Sequence, residues 1–319
     1  MSTAFGVLGL LVGTATTVAR SLPEVPGVSG DTWAMVTSFT DYGVLAYAVA
    51  LMGLVTATLL RFRALRLVAL AASVALAAVH LSWIVPSFVA DGAPATSTGR
   101  LRVYSQNMLY GGADPGQVLA AAQQADVLVV VEMTQPAADA FTDHGIDSVF
   151  AYQTGGRLPW GGATGTRVYS RFPVVDSRPL DRSGGDHNWL VTVDVPDLGL
   201  MTVAAVHPTR PVRGGSDWAA EQELVRQRVP HERTLIAGDF NAVDSHLSLR
   251  RLRADGFSGA NNVVGAGWQP TYPAEGLIPP LIAIDHILLS RDLTATAFRT
   301  VGVDGSDHRG VLATVAVRG

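Results

Sequence analysis

Leu101-Arg102-Val103-Tyr104-Ser105-Gln106-Asn107, Asp114-Pro115-Gly116-Gln117 and Val127-Leu128-Val129-Val130-Val131-Glu132 are the three pieces that decide the fold class. The first predicts a strand over 101–106. Asp114 is placed to cap a helix, with Pro115 at its first position and Gln117 three residues after the cap, a capping-box arrangement. That helix is expected to run to about Ala125. Val127–Val131 is a continuous apolar run suited to a buried strand. Strand, helix and strand make a β-α-β unit, the opening of an α/β domain.

Downstream, further strands stop abruptly at a polar group. The first strand ends at Asn107 and the second at Glu132. Met201–Val206 ends at His207, and Thr234–Ala237 runs into Gly238-Asp239-Phe240-Asn241. In open α/β sheets, ligand sites gather outside the carboxyl ends of strands. If these ends share one rim, they build a hard-oxygen cation site with a histidine beside it, better suited to Mg²⁺ or Mn²⁺ than to zinc. Alternation along an extended segment would turn Asp239 and Asn241 to one side and Phe240 to the core. A general base and a nucleophile-positioning amide fit that pair. Ala283–Leu289 reads as another strand, with Asp285 and His286 on opposite faces. Ser306-Asp307-His308-Arg309 precedes a last strand, Val311–Val317, and suggests a histidine held by a carboxylate.

The composition divides the chain in two. Of its 319 residues, 48% are hydrophobic, and the mean hydropathy is +0.27. Residues 1–90 carry seven charges, leaving 19 arginines and 24 acidic residues beyond them, a net charge of −5. There is no lysine and no cysteine, which excludes disulfides and thiolate metal sites. An acidic domain is a poor surface for tight binding of long nucleic acids, although it does not exclude a nuclease. Three apolar runs, at about 3–19, 42–60 and 67–89, predict a transmembrane region over 1–90, since a bilayer core needs roughly 20 apolar residues. Residues 91–100 read as a linker, and 101–319 as the catalytic domain. The loop Arg61–Arg66 holds three arginines, so the positive-inside rule places it in the cytoplasm and the domain outside the cell. The expected protein is therefore a multi-pass cell-membrane protein.

Gln106-Asn107, Glu132, Thr166–Val174, His207-Pro208, Gly238–Asn241, Ile284–His286 and Ser306–Arg309 occur in an order that resembles the endonuclease/exonuclease/phosphatase superfamily. The resemblance covers about 101–317. It implies a DNase I-like four-layer α/β sandwich, two mixed β-sheets flanked by helices, here preceded by about three transmembrane helices. It further implies metal binding by Glu132 with Asn107 and Asp307, and an attacking water oriented or deprotonated by Asp239 beside Asn241. His207 and His308, the latter held by Asp285, would flank the phosphate, and His286 would be structural. Gly310 stands where the family commonly has proline, which is expected to loosen that loop.

The function these features imply is a divalent-metal-dependent phosphoester hydrolase, most simply a phosphodiesterase. Its substrate would be a lipid-linked, headgroup or nucleic-acid phosphoester, and no obligatory protein partner is evident. The alternatives are a tethered extracellular endo- or exonuclease and a non-catalytic phosphate-binding member. Three loops are expected to frame the cleft: Gln153–Gly165, Thr209–Trp218 and Trp268–Leu281. Arg210 and Arg213 form a pair able to grip an anion. Trp268, Tyr272, Leu277 and Ile278 suggest an apolar lip near the bilayer.

Overall fold

The computed structural model describes residues 2–22, 30–56, 63–92, 94–96, 99–161, 165–180, 187–211 and 215–319. They form two units: Met1–Pro86 with Pro211–Ser216 and Ser245–Leu247, and the remainder from Ser87 onward.

The first unit contains helices α1 (Ser2–Ser21), α2 (Gly30–Ser38), α3 (Gly43–Thr56) and α4 (Arg63–Ile84), the last continued by a 3-10 turn over Val85–Phe88. Ala4–Ser21 and Ala64–Phe88 are each long and apolar enough to cross a membrane. Gly30–Ser38 and Thr40–Val55 pass that test only together, bent by 50°, which gives two candidate spans among the described residues or, with the bent pair counted as one, three. Of the middle run expected at 42–60, α3 covers Gly43–Thr56, residues 57–60 lie outside the described residues, and α2 is a companion the sequence did not foretell. Residues 57–62, including Arg61, lie outside the described residues. Helices α1 and α3 approach through small residues. A Cβ on Gly6 would come 3.0 Å from the Gly53 carbonyl carbon, and one on Gly9 2.6 Å from the Ala46 oxygen. Such close backbone approach is what packs helices where apolar burial offers no drive. His80 is buried, with Nδ1 2.9 Å from the Thr40 carbonyl and Nε2 2.9 Å from Thr17 Oγ1, itself 2.8 Å from the Tyr47 hydroxyl.

The second unit begins as the sequence predicts. Its elements are β1 (Leu101–Asn107), α5 (Pro115–Ala122), β2 (Val127–Met133), α6 (Gln135–Asp143), α7 (Ile146–Val149), β3 (Tyr152–Gly155), β4 (Gly165–Ser170), β5 (Val174–Pro179), β6 (Trp189–Val195) and β7 (Gly199–Val206). Then follow α8 (Gly215–Arg228), β8 (Thr234–Asp239), α9 (Leu247–Ala254), β9 (Ser258–Gly259), α10 (Ala260–Val263), β10 (Asp285–Leu289), β11 (Leu293–Val301) and β12 (Gly310–Val317). Two six-stranded sheets result, in the orders β11-β12-β1-β2-β4-β3 and β5-β6-β7-β8-β10-β9. Both are mixed: β1 and β2 pair in parallel, as do β7 and β8, while their other neighbours are antiparallel.

Strand alternation sorts the apolar residues into layers. Val103, Val127, Val129, Val203, Leu235 and Ile287 join one cluster drawn from both sheets. Their sequence neighbours Tyr104, Leu128 and Val130 turn outward with Val118 and Phe141 of the first sheet's helices. Ile236 and Leu288 do the same with Val225 and Leu249 on the second. Both faces of the central strands are therefore buried, which explains their unbroken apolar runs. This is the four-layer, DNase I-like sandwich the sequence implied.

Three local expectations change. Asp114 Oδ1 accepts from the Gln117 backbone N–H at 2.8 Å, as a cap should, but the Gln117 side chain turns instead to Asp304, bonding its carboxylate and its backbone N–H. The helix also stops at Ala122. The described part of the expected linker is docked: Asp91 N–H donates to the Val263 carbonyl (3.1 Å) and Thr96 N–H to the Val317 carbonyl (3.1 Å), while Arg318 pairs with the Asp91 carboxylate. Gly310 opens β12 and is tightly packed, since a Cβ there would lie 2.5 Å from both Gln106 Oε1 and the Tyr104 ring. The loop is not loosened at that point.

Gly238 is the tightest position in the second sheet. Its φ is +150°, and a Cβ there would fall 1.9 Å from the Val206 carbonyl oxygen on the neighbouring parallel strand. Gly238→Ala is expected to cost about 3 kcal/mol through overpacking, lowering Tm by roughly 6–12 °C. Gly302→Ala, with open space around the position, should leave Tm unchanged. Equal Tm values for the two variants would contradict this packing.

Candidate active site

The parallel pairs β1/β2 and β7/β8 point their carboxyl ends to one rim, and the antiparallel strands β10 and β12 begin there. Asp285 is in register with Asp239 across β10 and β8, while His308 lies just before β12. One end of the sandwich thus collects Asn107, Glu132, His207, Asp239, Asp285, Asp307 and His308.

Local backbone irregularity aims the carboxylates. Glu132 sits in a register shift between Val130 and Met133 and has a φ of +52°. A non-glycine residue in this region costs about 1–3 kcal/mol, typical of functional sites. Its Oε1 accepts from Asn107 Nδ2 at 3.2 Å, and its Oε2 from the Tyr110 backbone N–H at 3.1 Å. The segment after Asp239 is not extended, contrary to the alternation argument. Asn241 has a φ of +48°, and its N–H donates back to Asp239 Oδ1 at 2.8 Å. The chain makes a tight Asx turn here in place of strand alternation. Asn241 Nδ2 donates to the Pro208 carbonyl at 3.0 Å, beside His207. Phe240 is fully buried, as expected.

Asn107 ties these parts together. Its Nδ2 also donates to Asp239 Oδ2 at 3.0 Å, while its own oxygen accepts from the Leu109 N–H at 2.8 Å. In this arrangement the amide nitrogen, not the oxygen, faces the carboxylates. His207 Nε2 lies 3.5 Å from Glu132 Oε1 and 3.8 Å from Asp239 Oδ2. His308 Nδ1 is 2.8 Å from Asp285 Oδ2, and its Nε2 lies 3.7 Å from Asp239 Oδ2 and 3.8 Å from Asp307 Oδ1. His286, on the other face of β10, is buried against the Ala242 carbonyl (2.8 Å).

The electrostatics follow from burial and neighbours. Burial alone would push the Glu132 carboxyl up, but His207, Asn107 and the Tyr110 N–H outweigh it and draw it down to about 2. Burial would likewise neutralise His308. The Asp285 and Asp239 charges overcome this and push its pKa up to about 10, so the ring is an imidazolium at neutral pH. His207 is also raised: burial opposes the charged form, and its bond to Glu132 with the Asp239 and Glu132 charges prevails. Burial, helped by the Asp285 charge, raises the Asp239 carboxyl against the pull of His308 and His207.

The donor set suits a hard divalent cation. Glu132, His207 and Asp239 each offer a ligand atom within 4.8 Å of the others. Asp307 Oδ1 is buried with no hydrogen-bond partner, and the Glu132 charge, after burial and against His308, helps raise that carboxyl. Two carboxylates that repel one another, one with an orphaned oxygen, are what a cation would relieve.

The remaining predicted residues are less central. Arg210 is exposed, on the loop after His207, and its charge acts on Tyr272. The Tyr272 ring lies 5.0 Å from the His308 ring. Trp268 is partly exposed on the same loop as Tyr272. Arg213 lies outside the described residues. Sequence reasoning missed several supports. Asn188 Oδ1 accepts the His207 N–H at 2.9 Å, and buried Thr271 Oγ1 accepts the Ile284 and Asp285 N–H groups at 3.1 and 3.2 Å. Ser306 Oγ donates to the Asn107 carbonyl at 2.8 Å and accepts the His308 N–H at 3.1 Å. Ser306 sat inside a quoted motif, whereas Asn188 and Thr271 carried no signal in spacing.

The His308 charge rests first on Asp285. Asp285→Asn removes the adjacent anion, so the His308 titration midpoint should fall by roughly one to three pH units. Histidine NMR across pH 5–11 measures this, and an unmoved midpoint would contradict the assignment.

Residues 104–308 match the Endonuclease/Exonuclease/phosphatase family. Among solved structures, an endonuclease/exonuclease/phosphatase from Beutenbergia cavernae is 22% identical over 69% of this chain and 72% of its own, with a TM-score of 0.55. D. rerio TDP2, complexed with a single-strand DNA product, is 16% identical over 68% and 99%, with a TM-score of 0.54. A family protein from Bacteroides thetaiotaomicron is 15% identical over 70% and 96%, with a TM-score of 0.53. No curated protein sequence matches. With the matched segment spanning well over half its length and the rim built as described, this chain belongs to the endonuclease/exonuclease/phosphatase family of DNase I-like fold.

Proposed function

We propose that the chain is a membrane-anchored, divalent-metal-dependent phosphoester hydrolase, most simply a phosphodiesterase, whose catalytic unit lies outside the cytoplasm. The observation that carries this reading is the convergence of Glu132, Asp307, Asp239, His207 and the His308–Asp285 pair on one rim. Glu132 and Asp307 would hold Mg²⁺ or Mn²⁺, which when bound supplies polarisation of a phosphoryl oxygen. Asp239, buried and raised above the ordinary carboxylate range, is the stronger base for it and takes the proton of the attacking water. Asn241, fixed by Pro208 and by the turn onto Asp239, positions that water. His308, kept cationic by Asp285, and His207 donate to the phosphoryl oxygens as negative charge develops. Arg210, with Arg213 in the same loop of the sequence, adds anion affinity at the mouth.

The external placement rests on the arginine-rich stretch Arg61–Arg66, which leads into the start of the Ala64–Phe88 span and overlaps it. A lipid-linked or envelope phosphoester suits an acidic unit tethered at a membrane better than duplex DNA does, since DNA binding draws on basic surface. A tethered nuclease is the second reading, supported by the fold shared with D. rerio TDP2.

Turnover of bis-p-nitrophenyl phosphate should vanish with chelator and return with Mg²⁺ or Mn²⁺. Asp239→Asn should lower it by roughly 10²–10⁴-fold with the far-UV spectrum unchanged, and near-normal turnover would refute the assigned base. Orientation is tested separately. The chain lacks cysteine, so a single Val175→Cys on exposed β5 should react with an impermeant maleimide on intact cells. Reaction only after lysis would reverse the topology.

A further inference from the structure

One loop of the catalytic unit runs from the end of the last candidate span to the catalytic pair. The span Ala64–Phe88 ends at residues that this loop holds. Gly267 N–H donates to the Ser87 carbonyl at 2.8 Å. A Cβ on Gly267 would strike the Phe88 ring at 2.7 Å, and one on Gly265 the Ala90 backbone at 2.5 Å, so the two segments lie in direct contact. Within the same unit, Asp91, Ala95 and Thr96, just beyond the span end, are also bonded.

The other end of the loop supports the site. Tyr272 lies against the His308 ring, Ala274 N–H donates to the Asp307 carbonyl at 2.6 Å, and Arg309 N–H donates to the Thr271 carbonyl at 2.8 Å. Tyr272 bridges to Ile282 and closes the base of the loop. Between these anchors the chain exposes Leu277 (103%) and Ile278 (60%). The stretch from Trp268 to Leu281 holds a single charge, Glu275. One fully exposed large aliphatic side chain beside another more than half exposed, on a loop with one charge, is costly in water and calls for an apolar partner. The partner that chain connectivity brings to this side is the bilayer.

We propose that Trp268–Leu281 is a lip seated in the membrane surface. Leu277 and Ile278 enter the interfacial layer of the leaflet from which the chain emerges, and Trp268 sits at headgroup level beside the exit residues. The Asp307–His308 pair then opens at the height of lipid headgroups, so the enzyme acts on phosphoesters presented at the membrane surface. This rests on the membrane-anchored phosphoesterase reading above.

The test uses the full chain in phosphatidylcholine/phosphatidylglycerol nanodiscs. An environment-sensitive nitrobenzoxadiazole label is placed singly through Leu277→Cys, Val74→Cys in α4, or Val175→Cys. Val175 lies on β5, at the opposite edge of its sheet from β9. Lipids carrying a shallow spin label serve as quencher for Leu277→Cys and Val175→Cys, and lipids carrying a deep acyl-chain label for Val74→Cys and Val175→Cys. The expected result is blue-shifted, quenched emission for Leu277→Cys and Val74→Cys, and unquenched emission for Val175→Cys. If Val74→Cys is quenched while Leu277→Cys matches Val175→Cys, the lip is overturned and the anchor stands. If Val74→Cys is also unquenched, the anchor fails and the lip with it. Bis-p-nitrophenyl phosphate turnover of the labelled proteins reports on the phosphoesterase reading independently of either result.

Discussion

A single side-chain amide joins the two halves of this site. Asn107, at the end of β1 in the first sheet, donates from one nitrogen to Glu132 on its own sheet and to Asp239 on the other. It holds that pose because its oxygen is already engaged by Leu109 N–H, while its carbonyl receives both Gln106 Nε2 and Ser306 Oγ. Two buried carboxylates would otherwise repel each other across the gap between the sheets. A fixed pair of N–H donors lets both remain in place, and a low-dielectric setting strengthens each bond. Everything else at the rim is arranged around these two acids.

The packed core makes that arrangement possible. Valines of β1, β2 and β7 interlock between the sheets and set the spacing of the strand ends. Irregular backbone then supplies the aim, through the bulge at Glu132 and the turn at Asn241. Gly238 lets β8 lie against β7 closely enough for Asp239 to reach the same space as His207. The charges are graded by partner rather than by burial, which alone would neutralise every group present. Glu132 is drawn down by donors, His308 is held up by anions, and Asp239 is left to burial.

Much of this was legible in the residues, because both layers of a buried sheet leave an unmistakable apolar run. Val127–Val131 and Thr234–Ala237 announce themselves, and the polar residue that ends each one is conspicuous. Geometry beyond the strand ends was not legible. Strict alternation assumed an extended segment from Asp239 to Asn241, and an Asx bond turns the chain there instead. Gln117 matched a capping box, yet a long-range partner, Asp304, outcompeted the local one. The stretch 91–100 looked like a spacer because its small residues carry no periodicity. Its described backbone groups find partners on the domain that no local pattern encodes. Asn188 and Thr271 act by accepting one and two backbone N–H groups respectively, and such roles leave no periodic trace.

The proposed function turns on one divalent-cation site held by Glu132 and Asp307. Mn²⁺ binding to the full chain in detergent, followed by electron paramagnetic resonance, tests it without reference to any substrate. Saturable binding is expected in the wild type, displaced by Mg²⁺ and much weakened in Glu132→Gln. Binding equally tight in Glu132→Gln, or none in the wild type, would contradict it.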